Sequence, residues 1–399
     1  MHIIHYVPDF GNPAGGREFF VHGLVQHLQN YGVQQSVITN SKNSKFTVTK
    51  SDNVAVFSLP VKKMGAYMIM KNLFRLLQQT KCDIINIHGY GEYAGDIACI
   101  MKITRILKVP LVLNTHGSGG LKHAYLALDF SSPFSRILAS SYSRKERIAR
   151  LMHIGYDFTV GRLEMRTFDR IIALSDEEKQ YLSKIGLKDK KYIKLDIAIN
   201  DIFLNYNSNC GSSNSSSRNN CILYVGRIDQ WKGIHILLES VKQLKLWNMK
   251  LNCIIIGKDC NNYRSYIEML IEKLEISDVV EIKEFVSQED LLEIYSSALT
   301  TVLPSFSEGF PLSLVESMAL GTPFVAHPVG AITELVNLSK AGLLVPIGDP
   351  VSLAQQIRNL IEDPKLWSEL SNNGRRYAKN FAWSKITKLY YDLYSELVH

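Results

Sequence analysis

Two α/β domains, each a parallel sheet flanked by helices, are what this sequence predicts, and three observations carry the prediction. The 399 residues suffice for two separate cores. Short apolar runs alternate with helix-length segments in both halves of the chain. Between the halves, Asn205 to Asn220 is poor in apolar residues and rich in Ser and Asn, the composition of a linker.

In chain order, Ile3 to Val7 reads as a buried strand. The loop Pro8 to Gly16 follows, then a helix from Arg17 to about Tyr31 closed by Gly32, then a strand from Gln34 to Thr39. Strand, glycine loop, helix and strand make a Rossmann-like start. Gly15-Gly16 is not GxGxxG, so a dinucleotide-dehydrogenase reading gains little. Asp83 to His88 and Pro110 to Gly117 are further short strands, each ending in His-Gly. In a parallel sheet such ends face the ligand crevice, which makes His88 and His116 candidates. Phe168 to Ser175 reads as a strand and Asp176 to Lys184 as the helix after it. The second half repeats the scheme with strands Cys221 to Val225, Lys250 to Ile256, Val279 to Phe285 and Thr301 to Leu303.

Composition narrows the class. The charged and hydrophobic fractions, 21% and 46%, are ordinary for a globular protein. A formal charge of +7 permits an anionic partner without naming one. The 6 cysteines form no CxxC pair and no His-spaced metal pattern, so free thiols in a reducing cytosol are expected. The N-terminal residues lead directly into a strand without a basic region and long apolar core, so no signal peptide is expected. No run of about 20 apolar residues exists, so no membrane span is expected either.

The chemistry concentrates in Ser305 to Glu316. Pro311 suits the first helical turn and Gly321 the position past the helix end. A helix starting there would present the amides of Leu312 and Ser313 to an anion, aided by its dipole. Glu308 precedes the helix, and Glu316 lies about one turn inside it on the same face. A carboxylate repels phosphate but accepts from hydroxyls. A diphosphate with sugar at either end would use all three features. In the turn after Val225, Arg227 and Lys232 offer a guanidinium fork and a point charge suited to a diphosphate. Isolated residues of these kinds are ordinarily solvated surface charges, and a lone His is ordinarily structural. It is the surroundings that raise them.

Those surroundings, Ser-x-x-Glu-Gly-Phe-Pro-Leu-x-Leu-x-Glu-x-Met-Ala-x-Gly-x-Pro from Ser305 to Pro323, closely resemble the Glu-x7-Glu signature of the retaining glycosyltransferases of family 4. The likeness continues to Glu334 and includes the Gly226-Arg227 to Lys232-Gly233 frame. It implies the two-domain GT-B fold: two Rossmann-like parallel-sheet domains facing a cleft. The first, acceptor domain would span 1–204, the linker 205–220 and the nucleotide-sugar domain 221–380. A terminal helix, 381–399, would cross back to the first domain.

By the same resemblance Arg227, Lys232, Gly15, Gly16, Leu312 and Ser313 would bind the diphosphate, and Glu316 the ribose. Glu308 would hold the sugar with the amides of Gly309 and Phe310, and His116 would contact it as the second catalytic residue. The backbone at Phe285 and Val286 would border the nucleobase, and domain closure would exclude water. Ala198 stands where the family's usual Pro-Asn-Gly run has glycine.

The implied reaction moves a hexose from a nucleoside diphosphate sugar, UDP ahead of GDP, to a saccharide or lipid-linked acceptor of a surface polysaccharide. No Asp-x-Asp occurs, so neither metal nor other cofactor is expected, and no nucleic-acid partner. Double displacement needs a nucleophile on the face opposite the leaving group. Neither Glu is placed for that, which favours front-face attack. The alternatives are a sugar-nucleotide 2-epimerase of the same architecture and a binding protein without turnover. Residues 118–165 mix aromatic, apolar and basic residues. Ser143 to Leu151 reads as a basic amphipathic helix, either a solvated face or a contact with anionic lipid. A cytoplasmic enzyme, peripheral at the inner membrane face, follows from the second reading.

Overall fold

A computed structural model describes residues 1–11, 15–41, 45–51, 54–64, 67–117, 144–206, 220–260 and 262–398. The chain divides into two compact units, Met1–Ala198 with Trp383–His399, and Ile199–Ala382. The division falls at Ala198, where the sequence suggested 204, because helix Asp201–Asn205, capped by the Asn200 side chain, packs in the second unit. The expected linker lies almost wholly outside the described residues, as does the part 118–143 of the mixed aromatic, apolar and basic stretch.

In the first unit nine strands form one sheet: β1 (His2–Tyr6), β2 (Gln34–Ser41), β3 (Thr47–Ser51), β4 (Val54–Met64), β5 (Tyr67–Met70), β6 (Ile84–His88), β7 (Leu111–Asn114), β8 (Arg170–Ala173) and β9 (Tyr192–Lys194). Their order is β3-β4-β2-β1-β6-β7-β8-β9, with β5 on β4. From β4 to β9 all pairs are parallel, whereas β3 and β5 run antiparallel to β4. The sequence reading assigned nothing to this antiparallel edge.

Every residue of β6 and β7 is buried, as a strand covered on both faces requires. Helix Gly16–Leu28 buries Phe20, Val21, Leu24, Val25 and Leu28, one stripe at helical spacing. It passes through a 3-10 turn to Gly32 at φ 68, where glycine supplies the left-handed stop. Helix Trp383–Val398 lies in this same unit. Trp383 stacks on Phe20 and His27 at ring separations of 5.6 and 4.8 Å. Tyr390 and Tyr394 reach the sheet, where their hydroxyls accept from Asn114 Nδ2 and Asn86 Nδ2 at 2.6 and 2.5 Å.

The second unit is a six-stranded, all-parallel sheet: β10 (Cys221–Val225), β11 (Asn252–Ile256), β12 (Val280–Lys283), β13 (Thr300–Leu303), β14 (Phe324–Ala326) and β15 (Gly342–Leu344). Its order, β12-β11-β10-β13-β14-β15, reverses direction between β10 and β13. The first sheet reverses likewise between β1 and β6. Open α/β sheets bind ligands outside the carboxyl ends of the strands at such reversals.

Candidate functional site

The second unit gathers its polar groups at the β10/β13 reversal. After β10, Gly226 turns the chain, and the Tyr224 hydroxyl donates to the Arg227 carbonyl at 2.7 Å while the Arg227 side chain stays exposed. Asp229 caps the 3-10 turn Gln230–Lys232 through the Trp231 amide. Gly233 follows at φ 65 and lies so close to the Pro304 carbonyl that a Cβ would overlap it. The Phe306 amide donates to the Trp231 carbonyl at 2.9 Å, which ties the loops after β10 and β13 together.

This tie delivers Lys232 to Glu308. The ammonium pairs with Glu308 Oε1, which also accepts from Ser305 Oγ at 2.8 Å. Both side chains are largely covered, 15% exposed for Lys232 and 9% for Glu308. Two neighbours hold the loop. His327 is buried with Nδ1 3.2 Å from the Ser305 carbonyl and Nε2 accepting from the Gly348 amide at 3.3 Å. A carbonyl only accepts, so the proton is on Nδ1. Burial pushes this imidazole down to about 4, which keeps it neutral. Gly330, at φ 57, abuts the Glu308 carbonyl so closely that no side chain fits.

Helix Leu312–Ala319 begins one residue later than expected, with Pro311 as its N-cap. The expected pair of free amides is corrected with it. The Leu312 amide folds back to the Phe310 carbonyl at 3.1 Å, and those of Leu314 and Val315 to the Pro311 carbonyl. Ser313 is left as the open donor of this turn. Glu316 sits one turn on, half-buried, and its Oε2 accepts from the Tyr295 hydroxyl at 3.1 Å. Burial pushes its carboxyl up to about 7, with the Tyr295 bond acting the other way. The Phe310 ring packs on Phe381 at 5.6 Å. Phe285, 86% exposed, and Val286 follow β12, two strands out from β10.

The first unit gathers its own group at the β1/β6 reversal. Gly15, extended, caps the helix that begins at Gly16. Beside them Arg17 donates to Glu92 Oε1 at 3.1 Å and to Glu18 Oε1 at 3.0 Å. The Tyr6 hydroxyl reaches the other Glu92 oxygen at 3.4 Å. Sequence reasoning missed Arg17, Glu92, Tyr295 and His327. Arg17 directly follows the glycine pair and was the one legible among them.

His116 lies just beyond β7 at φ 52, an uncommon conformation for a residue with a side chain. Its Nε2 is 2.8 Å from His88 Nδ1, and His88 Nε2 is 3.1 Å from His5 Nδ1. Both ring nitrogens of the fully buried His88 are thus occupied, so its candidacy as a ligand-facing residue is withdrawn. Burial lowers His5 and His116 to about 3 and His88 well below its ordinary value, so all three rings are neutral.

Among the described residues there is no group of three or more His, Cys, Asp or Glu that could hold a metal ion, and no helix long and apolar enough to cross a membrane. Cys82, Cys99, Cys221, Cys253 and Cys260 are free thiols.

Comparison with known proteins accounts for both halves. The family model "Glycosyltransferase Family 4" matches residues 14–193, and "Glycosyl transferases group 1" matches 208–377. A curated relative, D-inositol 3-phosphate glycosyltransferase 1 of Catenulispora acidiphila, is 24% identical over 393 residues, covering 94% of this chain and 89% of its own. Among solved structures, the sucrose-phosphate synthase of Thermosynechococcus elongatus superposes with a TM-score of 0.74 at 22% identity, over 99% of this chain and 98% of that one. Anabaena HepE, in complex with UDP and glucose, superposes with a TM-score of 0.71 at 20% identity, over 99% and 100%. With both halves of the chain matched and both sheets of the expected kind, the protein belongs to family 4 of the glycosyltransferases and has the GT-B fold.

Proposed function

We propose that the enzyme transfers a hexose, with retention of configuration, from a nucleoside diphosphate sugar to a saccharide or lipid-linked acceptor in surface polysaccharide synthesis. The observation that carries the proposal is the meeting of Lys232, Glu308, Glu316 and the Leu312–Ala319 helix end at the β10/β13 reversal. This set offers a cation and a helix amide to a diphosphate and a carboxylate to the sugar on either side. Arg227, exposed at the neighbouring turn, adds a second cation for the leaving group. Glu316, once ionised, accepts from ribose hydroxyls. Glu308 and the backbone of Gly309 and Phe310 hold the transferred sugar, and the backbone at the exposed Phe285 and half-buried Val286 borders the base.

Bond-making then needs no protein nucleophile. The acceptor hydroxyl attacks from the face the diphosphate leaves, and a departing phosphate oxygen takes its proton. The cations stabilise the charge that develops on the leaving group, so a divalent ion is not required. UDP is favoured over GDP because the structural neighbour HepE was solved with UDP and glucose.

The acceptor is proposed to be met at a membrane surface. Helix Arg144–Tyr156 carries Arg144, Lys145, Arg147 and Arg150 in its sequence and exposes Ile148, Leu151 and Met152. Basic residues with apolar neighbours suit the inner face of an anionic bilayer.

Thermal unfolding with UDP, GDP and their sugars, with and without EDTA, tests the donor reading. A ligand of the folded state raises stability as RT ln(1 + [L]/Kd). A rise with one base, unchanged by EDTA, is expected. No rise with any nucleotide would remove the proposal, and epimerised donor as product would replace it with an isomerase. Sedimentation with phosphatidylglycerol vesicles tests the membrane contact, which falls if the protein stays in the supernatant.

A further inference from the structure

A row of polar side chains crosses four strands of the first sheet on one face. Parallel pairing sets Gln35 of β2 beside Ile3 of β1, His5 beside Asn86 of β6, and His88 beside Asn114 of β7. Side chains two apart on a strand share a face. Gln35, His5, His88 and His116 therefore descend diagonally from β2 to the residue just past β7. The three imidazoles are linked end to end, Nδ1 of one ring to Nε2 of the next, at 3.1 and 2.8 Å.

A neutral imidazole has one N–H and one lone pair. Two links between three neutral rings allow only two arrangements, with all protons pointing one way along the row or all the other way. The end of the row decides between them. Gln35, 2% exposed, donates Nε2 to the Val25 carbonyl at 2.7 Å. A carbonyl cannot donate, so chemistry fixes this amide and turns its Oε1 to the other side. Two buried atoms without a hydrogen-bond partner are left here, Oε1 of Gln35 and Nε2 of His5. Their interaction partly offsets the effect of burial on His5, as an acceptor facing a ring N–H does. The opposite arrangement would set two buried acceptors against each other, which is costly.

We infer that Gln35, His5 and His88 are positioning residues that fix His116 with its proton on Nε2 and a bare lone pair on Nδ1, so that the group received there is a hydrogen-bond donor. The chain of consequence is direct. His5 Nε2–H points to Gln35, His88 Nε2–H donates to His5 Nδ1, and His116 Nε2–H donates to His88 Nδ1. His116 Nδ1, buried and without a partner among the described residues, is the free end. This rests on the reading that the strand ends of the first unit meet a sugar. On it, the substrate presents an uncharged hydroxyl to His116. A sugar carrying a carboxylate, ester or deoxy carbon at that position has no proton to give.

The test is long-range 1H–15N spectroscopy of the full-length protein labelled with 15N-histidine, the rings assigned by His116→Gln and His88→Gln. The expected spectrum shows His5, His88 and His116 each protonated at Nε2 and bare at Nδ1, unchanged from pH 8 to pH 5. A protonated Nδ1 on His116, or averaging between tautomers, would overturn the inference whatever the substrate. Gln35→Leu should produce that averaging and lower kcat for donor turnover about tenfold with little change in KM. Gln35→Glu, which keeps an acceptor, should preserve the tautomer. If Gln35→Leu leaves the His116 signal alone, the row does not set it and the inference falls. Addition of UDP-glucose, UDP-galactose or GDP-mannose separates the two layers. With the tautomer as expected, a shift of the His116 Nδ1 resonance supports both, while no shift with any of them retains the relay and removes the sugar contact.

Discussion

Lys232 and Glu308, the cation and the carboxylate that a nucleotide sugar would use separately, are bonded to each other. Ser305 shares the same carboxylate oxygen, so Glu308 is held from two sides. The pair keeps a largely covered carboxylate compatible with a phosphate site, because its charge is already matched.

Removing either partner should therefore have opposite effects on the nucleotide. Glu308→Ala frees Lys232, so UDP or GDP affinity should hold or rise while transfer falls by about a thousandfold or more. Lys232→Ala removes a charged hydrogen-bond donor and strands Glu308, so nucleotide affinity should drop about 10- to 100-fold. Titration calorimetry reads both. Equal loss of affinity in the two variants would refute the division of roles.

Glu316 should make nucleotide binding depend on pH. Its carboxyl, pushed up to about 7 by burial, is partly protonated at neutral pH, and a proton competes with the ribose hydroxyls it would accept. Affinity should rise as pH increases through about 7 and level off above it. Glu316→Gln should flatten the profile at weaker binding. A profile unchanged in that variant would assign the dependence to another group.

Gly330→Ala and Gly348→Ala make a matched comparison. Both glycines have positive φ, 57 and 76, so both variants bear backbone strain of about 1–2 kcal/mol. Only at Gly330 would the new Cβ overlap the Glu308 carbonyl, whereas at Gly348 it meets nothing nearer than the Phe306 ring at 4.0 Å. Melting temperatures should fall by a few degrees in both. Transfer should collapse in Gly330→Ala alone, and similar activity in the two would show that the loop tolerates displacement.

A buried acid cluster should make the first unit less stable as pH rises. Glu164, 1% exposed, lies with Asp96 and Asp157. The Tyr156 hydroxyl donates to Asp96 at 2.7 Å, and those of Tyr90 and Tyr181 donate to Asp157 at 3.0 and 2.6 Å. Burial raises all three acids, Asp96 to about 6 and Glu164 furthest above its ordinary range. A folded pKa above the unfolded one means that folding disfavours ionisation. Stability is therefore full below the ordinary carboxylate range of about 4 and falls as pH climbs through the raised values. Glu164→Gln should reduce that fall between pH 5 and 8 in thermal melts, and an unchanged slope would clear Glu164 of the effect.

How far the sequence could be read followed from how local each feature is. Lys232, Glu308 and Glu316 were legible because glycines, proline and apolar residues at fixed offsets mark the two loops that carry them. Helix Asp176–Lys184 was legible from Ser175, whose side chain caps it through the Glu178 amide. His5 and Gln35 were not, because one polar residue inside an apolar strand reveals nothing of a partner on another strand. Arg17 and Glu92 meet only after β1 and β6 pair, 75 positions apart. Nor does the start of a helix show whether its first amides stay open, and at Leu312 a local turn takes the donor that the pattern offered.

The helix Trp383–Val398 completes a sheet begun at His2, with the whole of Ile199–Ala382 between. On the ribosome, then, the first-made unit is the last to be finished. Asn86 and Asn114 must wait without Tyr394 and Tyr390 until the second unit has been synthesised, so the first unit gains its last hydrogen-bond partners only after the second is made.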